Sequence, residues 1–303
     1  MSLVRTKVAV LRGGISQGYE ESLKTGNYLL NILRDMPEKY EPLDIFISRD
    51  GEWHYKGVAE DPHYILSKIH IAWNGLHGEL RIQNSLDAAR VPYVGSSTLA
   101  SALAHNKEMA KNVYRQHDLL TPESELIVEP LDEEQLIKIF RTYLSPMIVK
   151  PATGVGGIGI MIAHTFNELK EAVRKCFSHS PKVLVEEYVG GTVVTGVVIE
   201  GAKGEELHAL VPLHIETERR RVRPRVDEMK EVERMSKVAH EILGLRHYSA
   251  SDFVITPRGK IYILETNATP LFYEDSFLHQ SLLASGWKPS HFTEHCLNLV
   301  LNK

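Results

Sequence analysis

The stretch KPATGVGGIGI, residues 150–160, contains GVGGIG, a literal match to the G-x-G-x-x-G turn that receives a dinucleotide pyrophosphate. Such a turn needs its glycines between a strand and a helix, so that the helix N-terminus faces the phosphates. Here PMIVK upstream reads as a strand, but IGIMIAH downstream is a second short β-branched run. The spacing predicts a helix only from about Thr165, whose hydroxyl is placed to cap it. The glycines therefore join two strands. No Lys-Ser/Thr follows the last glycine, which excludes a Walker loop. What remains is a glycine-rich hairpin behind Lys150, in which the unhindered backbone N–H groups around Gly154, Gly156 and Gly157 can close over phosphate oxygens while Lys150 supplies charge. Taken alone, such a segment is more often a surface hairpin.

It gains meaning from SDFVITPRGKIYILETNATP, residues 251–270, which reads as two paired strands around a TPRG turn. Their ends bring Asp252, Glu265 and Asn267 together, with Glu265 and Asn267 on one strand face by the period of two. Two carboxylates and an amide oxygen are hard donors of the kind Mg²⁺ uses when it also bridges nucleotide phosphates. These acidic residues interrupt otherwise apolar strands, which argues against a merely solvated strand end.

Around these two segments the chain reads as an α/β (α+β) protein. Residues 7–12 (KVAVLR) form an apolar strand ending in Gly13-Gly14, followed by a helical pattern and further strand–helix alternation, a small doubly wound domain over 1–97. Its first turn, RGGISQG, with Ser16 at its centre, is a candidate phosphate or carboxylate cradle. A mixed domain of strands flanked by helices is expected over 98–187, and a strand-rich domain with a helix at 228–244 and two closing helices over 188–303. No repeat or Pro/Ser linker separates them, so they should share interfaces.

The 303 residues are 43% hydrophobic and 24% charged, ordinary globular composition with enough apolar material for two or three domains. A net charge of −4 implies no bulk attraction to nucleic acid or anionic membrane, and no segment reaches the ~20 apolar residues that span a bilayer. The two cysteines, Cys176 and Cys296, both fall in helical patterns away from any second thiol, which excludes a disulfide framework and fits a reducing, cytoplasmic setting.

The ordered set NKEMAK, MIVKPATGVGGIGI, VLVEEYVGG and SDFVITPRGKIYILETNATP resembles the ATP-grasp fold, and within it the D-alanine–D-alanine ligase family. AVLRGGIS and GLHGELRIQNSLDAARVPYVGSSTLASALAHNK support the narrower match, so the likeness spans nearly the whole chain. The resemblance implies an ATP-dependent carbon–nitrogen ligase that phosphorylates one amino acid's carboxylate and lets a second amino acid's amine attack the acyl phosphate. Its cofactors would be ATP and two Mg²⁺ ions, its partners small amino acids and a second copy of itself, with no nucleic acid or membrane. Residue by residue, Lys107 and Lys150 match the lysines that contact ATP phosphates. Glu186 and Glu187 lie in the interdomain strand that meets the adenine. Asp252, Glu265 and Asn267 match the Mg²⁺ ligands, His77 the histidine beside the first substrate, and Ser276 the serine that binds the second substrate's carboxylate.

Several substrate-side positions depart from the family pattern. The glutamate that meets the first amino group aligns with Gly18, and the serine bonded to it aligns with Gly156. The arginine two residues before the metal aspartate is Ala250; losing such a donor typically costs ~3 kcal/mol of transition-state stabilisation. Val193 replaces a ribose-binding glutamate, Leu271 a glycine, and the His-Gly segment is short. In compensation, ETERRRVRPRVDE places Arg219, Arg220, Arg221, Arg223 and Arg225 where the family carries a loop that closes over the phosphates. Arg221 and Arg223 are the candidates to replace the missing donor or to select an acidic substrate, since guanidinium contacts phosphate and carboxylate bidentately. The alternative to the ligase is a nucleotide-binding protein that no longer joins amino acids.

Overall fold

Val8, Ala9, Val10 and Leu11 are fully buried in the middle of β1 (Thr6–Gly13), as an apolar run covered on both faces must be. The computed structural model describes residues 5–154, 157–214 and 224–302. After β1 come α1 (Tyr19–Arg34), β2 (Tyr40–Ile47), the hairpin β3 (Trp53–Tyr55) and β4 (Val58–Ala59), α2 (Pro62–Leu66), β5 (Ile71–Asn74), α3 (Arg81–Ala88) and β6 (Tyr93–Val94). They form one sheet in the order β4-β3-β2-β1-β5-β6, parallel from β2 to β6 and antiparallel only where the edge hairpin joins.

The middle of the chain runs α4 (Thr98–His105), α5 (Lys107–Gln116), β7 (Ser124–Val128), α6 (Glu133–Thr142), β8 (Met147–Pro151), β9 (Met161–Ala163), α7 (Phe166–Phe177) and β10 (Lys182–Glu187). Its sheet, β7-β10-β8-β9, is antiparallel throughout. The glycine stretch joins β8 to β9 as a strand-to-strand connection, as its flanking sequence predicts, and Gly157 takes φ +72°, a conformation that suits glycine. Thr165 caps α7 by accepting the Glu168 N–H at 3.2 Å.

The last part consists of β11 (Thr192–Glu200), β12 (Leu207–Ala209), β13 (Leu213–His214), α8 (Val226–Ile242), β14 (Tyr248–Ile255), β15 (Ile261–Asn267), α9 (Phe277–Ala284) and α10 (Pro289–Leu301). The sheet order is β12-β11-β14-β15, with β13 also on β11. The TPRG turn between β14 and β15 closes with the Thr256 N–H donating to the Lys260 carbonyl at 2.9 Å. Trp73 of β5, Tyr248 of β14 and Phe292 of α10 form an aromatic cluster with Phe272, the ring centroids of Phe272 and Phe292 lying 5.1 Å apart. This shared core ties the first sheet to the third and fixes two walls of the cleft described next. Cys176 and Cys296 are both buried and free. No helix among the described residues is long and apolar enough to cross a membrane.

Candidate active site

A cavity of about 880 Å³ is bounded by the glycine hairpin, the β14–β15 pair, and the loops that follow β1, β5 and β15. Its charged groups fall into two sets. The first is built on β8, β10 and α5. Register pairs Lys150 with Leu184 and Ile148 with Glu186, so Lys150 and Glu186 are diagonal neighbours across β8 and β10. Lys150 Nζ lies 2.9 Å from Glu186 Oε2, and both side chains are buried. Lys111, one helical turn beyond Lys107 on α5, approaches the other oxygen of Glu186 at 3.1 Å and donates to Thr121 Oγ1 at 3.0 Å and the Pro122 carbonyl at 2.7 Å. Burial pushes the Lys111 ammonium down to about 8, against the opposing pull of Glu186. Glu186 thus sits between two lysines.

Lys107 opens α5, which Asn106 caps by accepting the Met109 N–H at 3.2 Å. Its ammonium donates to the Gly154 carbonyl at 2.9 Å and lies 3.2 Å from Glu265 Oε2, joining the glycine hairpin to the carboxylate strand. Asp252 and Glu265 face each other across β14 and β15, and Asn267 pairs with Ala250 two residues along. A register irregularity follows Asp252, so its carboxylate is set where the ladder is interrupted. Thr195 Oγ1 donates to Asp252 Oδ1 at 2.6 Å. Burial and the charge of Glu265 hold the Asp252 carboxyl above its usual range. For Glu265 burial pushes the same way, but Lys107 and Lys150 outweigh it and hold the group below. Two crowded carboxylates beside an amide oxygen are a donor set that fits a hard divalent cation, whose charge would relieve their repulsion.

The second set surrounds His77, which is 3% exposed. Its Nδ1 is 2.8 Å from the Thr269 carbonyl, which accepts, so Nδ1 carries the proton. Its Nε2 accepts from Thr25 Oγ1 at 2.9 Å, while that hydroxyl accepts the Phe272 N–H at 3.3 Å. Burial pushes the ring down to about 4, against the Thr269 carbonyl and the charge of Glu21. His77 is therefore neutral at pH 7 with both nitrogens occupied, and it pins the loop after β15 to α1. An unfolded histidine binds a proton near 6.5 and the folded one only near 4, so the native state loses stability as pH falls through that window. The loss is about 3 kcal/mol at one pKa unit per ~1.4 kcal/mol. Urea unfolding of wild type and a His77→Gln variant at pH 7 and pH 4.5 should show the wild type falling more steeply by about 2–3 kcal/mol.

Ser16 donates to the His77 carbonyl and accepts the Gly18 N–H at 3.2 Å, so the turn uses its hydroxyl internally and supports His77. Gly18 is a glycine by close approach: a Cβ there would lie 2.7 Å from the His77 carbonyl oxygen and 2.8 Å from its Cβ. No side chain fits at position 18 with His77 where it is. Gly18→Ala should accordingly cost about 1–3 kcal/mol of stability, as overpacking does, and lower the melting temperature. Ser276 caps α9, accepting the His279 and Tyr273 N–H groups at 3.3 Å each, and its hydroxyl proton remains to donate into the cavity it lines. Glu187 lines the cavity, while its Oε1 accepts the Glu123 N–H at 3.0 Å and holds β10 to the start of β7. Ala250 is buried opposite Asn267.

Gly156, Arg219, Arg220, Arg221 and Arg223 lie outside the described residues. Arg225 starts α8: its backbone N–H donates to Glu228 Oε2 at 2.7 Å and its guanidinium lies 3.1 Å from Glu228 Oε1, so this arginine is engaged at the helix start. Three groups at or behind the cavity wall escape the sequence reading. Lys111 is signalled by its i+4 spacing from Lys107 in NKEMAK, and Thr195 by a hydroxyl in an apolar strand. Glu79, which immediately follows His77-Gly78, has no comparable signal.

Compared with known proteins, residues 124–220 and 221–298, together more than half of the chain, match the family model described as D-ala D-ala ligase C-terminus. A D-alanine–D-alanine ligase of Desulfotalea psychrophila is 31% identical over 99% of this chain and 96% of its own length. Among solved structures, the VanG D-Ala:D-Ser ligase of Enterococcus faecalis superposes with a TM-score of 0.86 at 23% identity, covering 98% of this chain and 99% of that one. The D-alanine–D-alanine ligase of Bacillus anthracis complexed with ATP gives 0.79 at 22% identity, covering 98% of this chain and 97% of that one. The three-sheet architecture is the ATP-grasp fold anticipated from the sequence. With the family model matched over more than half of its residues and a relative alike along nearly its whole length, the chain belongs to the D-alanine–D-alanine ligase family.

Proposed function

We propose that the chain is an ATP-dependent carbon–nitrogen ligase that joins two amino acids through an acyl phosphate, with D-alanyl-D-alanine as the first product to test. One observation carries this: a single cleft holds the Lys107–Glu265 and Lys150–Glu186 pairs with Asp252 and Asn267, and continues into a polar pocket around His77 and Ser276. The relatives' shared activity supports the same reading.

In this mechanism Lys107 and Lys150 receive the ATP phosphates, exchanging part of their pairing with Glu265 and Glu186 for phosphate oxygens. Asp252, Glu265 and Asn267 would hold Mg²⁺, which when bound supplies Lewis-acid neutralisation of phosphate charge. An oxygen of the first substrate's carboxylate attacks the γ-phosphorus, the bond to the β-phosphate oxygen breaks, and ADP leaves with the electron pair. The second substrate's amine, having lost its proton, then attacks the acyl carbon. The carbon–oxygen bond to phosphate breaks, phosphate departs, and the amide nitrogen loses its remaining extra proton. Ser276 orients the second substrate by donating to its carboxylate, and neutral His77 fixes the pocket floor without taking a proton. The glycine hairpin shields the acyl phosphate from water. At Ala250 no donor meets the oxyanion, so that duty falls to groups elsewhere in the cleft.

ADP release from ATP-Mg²⁺ with a panel of D- and L-amino acids, D-serine and acidic amino acids included, tests the reading, with mass spectrometry of the products. Dipeptide formed in step with ADP is the expected result. ATP binding with no ADP above background for any substrate would leave a nucleotide-binding protein and sink the ligase.

A further inference from the structure

A ligase that activates one amino acid and attacks it with another must hold two amino groups in different states. The second amine loses a proton to become a nucleophile, whereas the first remains an ammonium throughout, because only its carboxylate reacts. A retained ammonium taken out of water needs an anion beside it.

Among the described carboxylates that line the cavity, most are already committed. Asp252 and Glu265 sit at the proposed cation site with Lys107, and Glu186 lies between Lys111 and Lys150. Glu187 accepts a backbone N–H, Glu21 is 37% exposed with Lys24 at 4.0 Å, and Asp275 is exposed. Glu79 differs from all of them. It is only 5% exposed, lines the cavity, and makes one hydrogen bond, from the Arg81 N–H to Oε1 at 3.0 Å. No lysine, arginine or histidine among the described residues lies within ion-pair distance of it: Arg81 is exposed to solvent, and His77, two residues away, is neutral. A buried carboxylate without a cation is costly in a finished fold and is explained when a ligand brings the cation.

We infer that Glu79 receives the ammonium of the first amino acid, so that the activated substrate must carry a free α-amino group; hydroxy acids and N-blocked peptides are excluded from that position. This rests on the ligase reading for which substrate is first. The placement also answers the absence at Gly18, where no side chain fits. The anion comes instead from the shortened loop between β5 and α3, directly after His77-Gly78, with Glu21 adding negative field at the mouth.

The test is isothermal titration of D-alanine and D-lactate into the protein loaded with Mg²⁺ and a non-hydrolysable ATP analogue, for wild type, Glu79→Gln and Glu21→Gln. In Glu79→Gln the side-chain amide oxygen still accepts the Arg81 N–H, and only the charge is lost. Wild type should prefer D-alanine by about tenfold or more, since hydrogen bonds to charged groups are the strong ones. Glu79→Gln should erase that preference without lowering the melting temperature, and Glu21→Gln should keep most of it. A Glu79→Gln protein that retains the preference or melts well below wild type overturns the inference, as does a wild type that binds both ligands equally. The two readings fail separately: preference without dipeptide formation sinks the ligase, and dipeptide formation with the preference untouched in Glu79→Gln sinks the assignment of Glu79.

Discussion

Replacing Asp252 with asparagine is expected to lower kcat/KM by about 10²–10³-fold, several kcal/mol of transition-state stabilisation. Asparagine preserves the shape of the side chain and an oxygen to accept from Thr195, so the change isolates the charge. Asp252 is held among opposing influences: burial and Glu265 disfavour its ionised form, Thr195 and Lys107 favour it. A divalent cation between Asp252 and Glu265 would tip that balance, and removing the Asp252 charge forfeits it. The check is steady-state ADP release across a Mg²⁺ titration, where the variant should need more Mg²⁺ and reach a lower plateau. Full turnover at wild-type Mg²⁺ would remove Asp252 from the cation site.

Lys111→Met is expected to destabilise the fold by about 3 kcal/mol, in the range for breaking one partner out of a buried ionic group. Its side chain is 1% exposed, so solvent cannot take over its contacts. Methionine fills similar volume but leaves Thr121 Oγ1 without its donor, the Pro122 carbonyl with only the 3.5 Å contact from Arg115, and Glu186 with Lys150 alone. Lys150 is then held harder by Glu186, and the KM for ATP should rise while the KM values for amino acids stay near wild type. Urea unfolding with initial rates at varied ATP measures both. A midpoint unchanged from wild type would show that Lys111 is neutral or dispensable in the folded protein.

Much of the fold is legible because it depends on local pattern. The β-branched run after the glycines excludes a dinucleotide turn, and the chain joins β8 to β9 there. The period of two in LETN places Glu265 and Asn267 together, and the β14–β15 register brings Asp252 to them. What escapes is set by tertiary distance. That Glu186 is shared by two lysines depends on how α5 packs against β10, which no spacing within either element encodes. The neutrality of His77 follows from its burial among elements distant in sequence, where Thr25 and Thr269, 52 and 192 residues away, occupy its two ring nitrogens. Gly18 reads in sequence as the loss of a side chain, and in the structure as a contact surface for His77. Glu79 carries no signal at all until its burial and its missing cation are seen together.

The central claim is that one carboxylate oxygen passes through an acyl phosphate, and oxygen tracing tests it most directly. With D-alanine labelled by ¹⁸O in both carboxylate oxygens, ATP-Mg²⁺ and the wild-type protein, mass spectrometry should find one ¹⁸O in each phosphate released per dipeptide formed. Unlabelled phosphate accompanying the dipeptide, or labelled D-alanine recovered without any dipeptide while ATP is consumed, would contradict it.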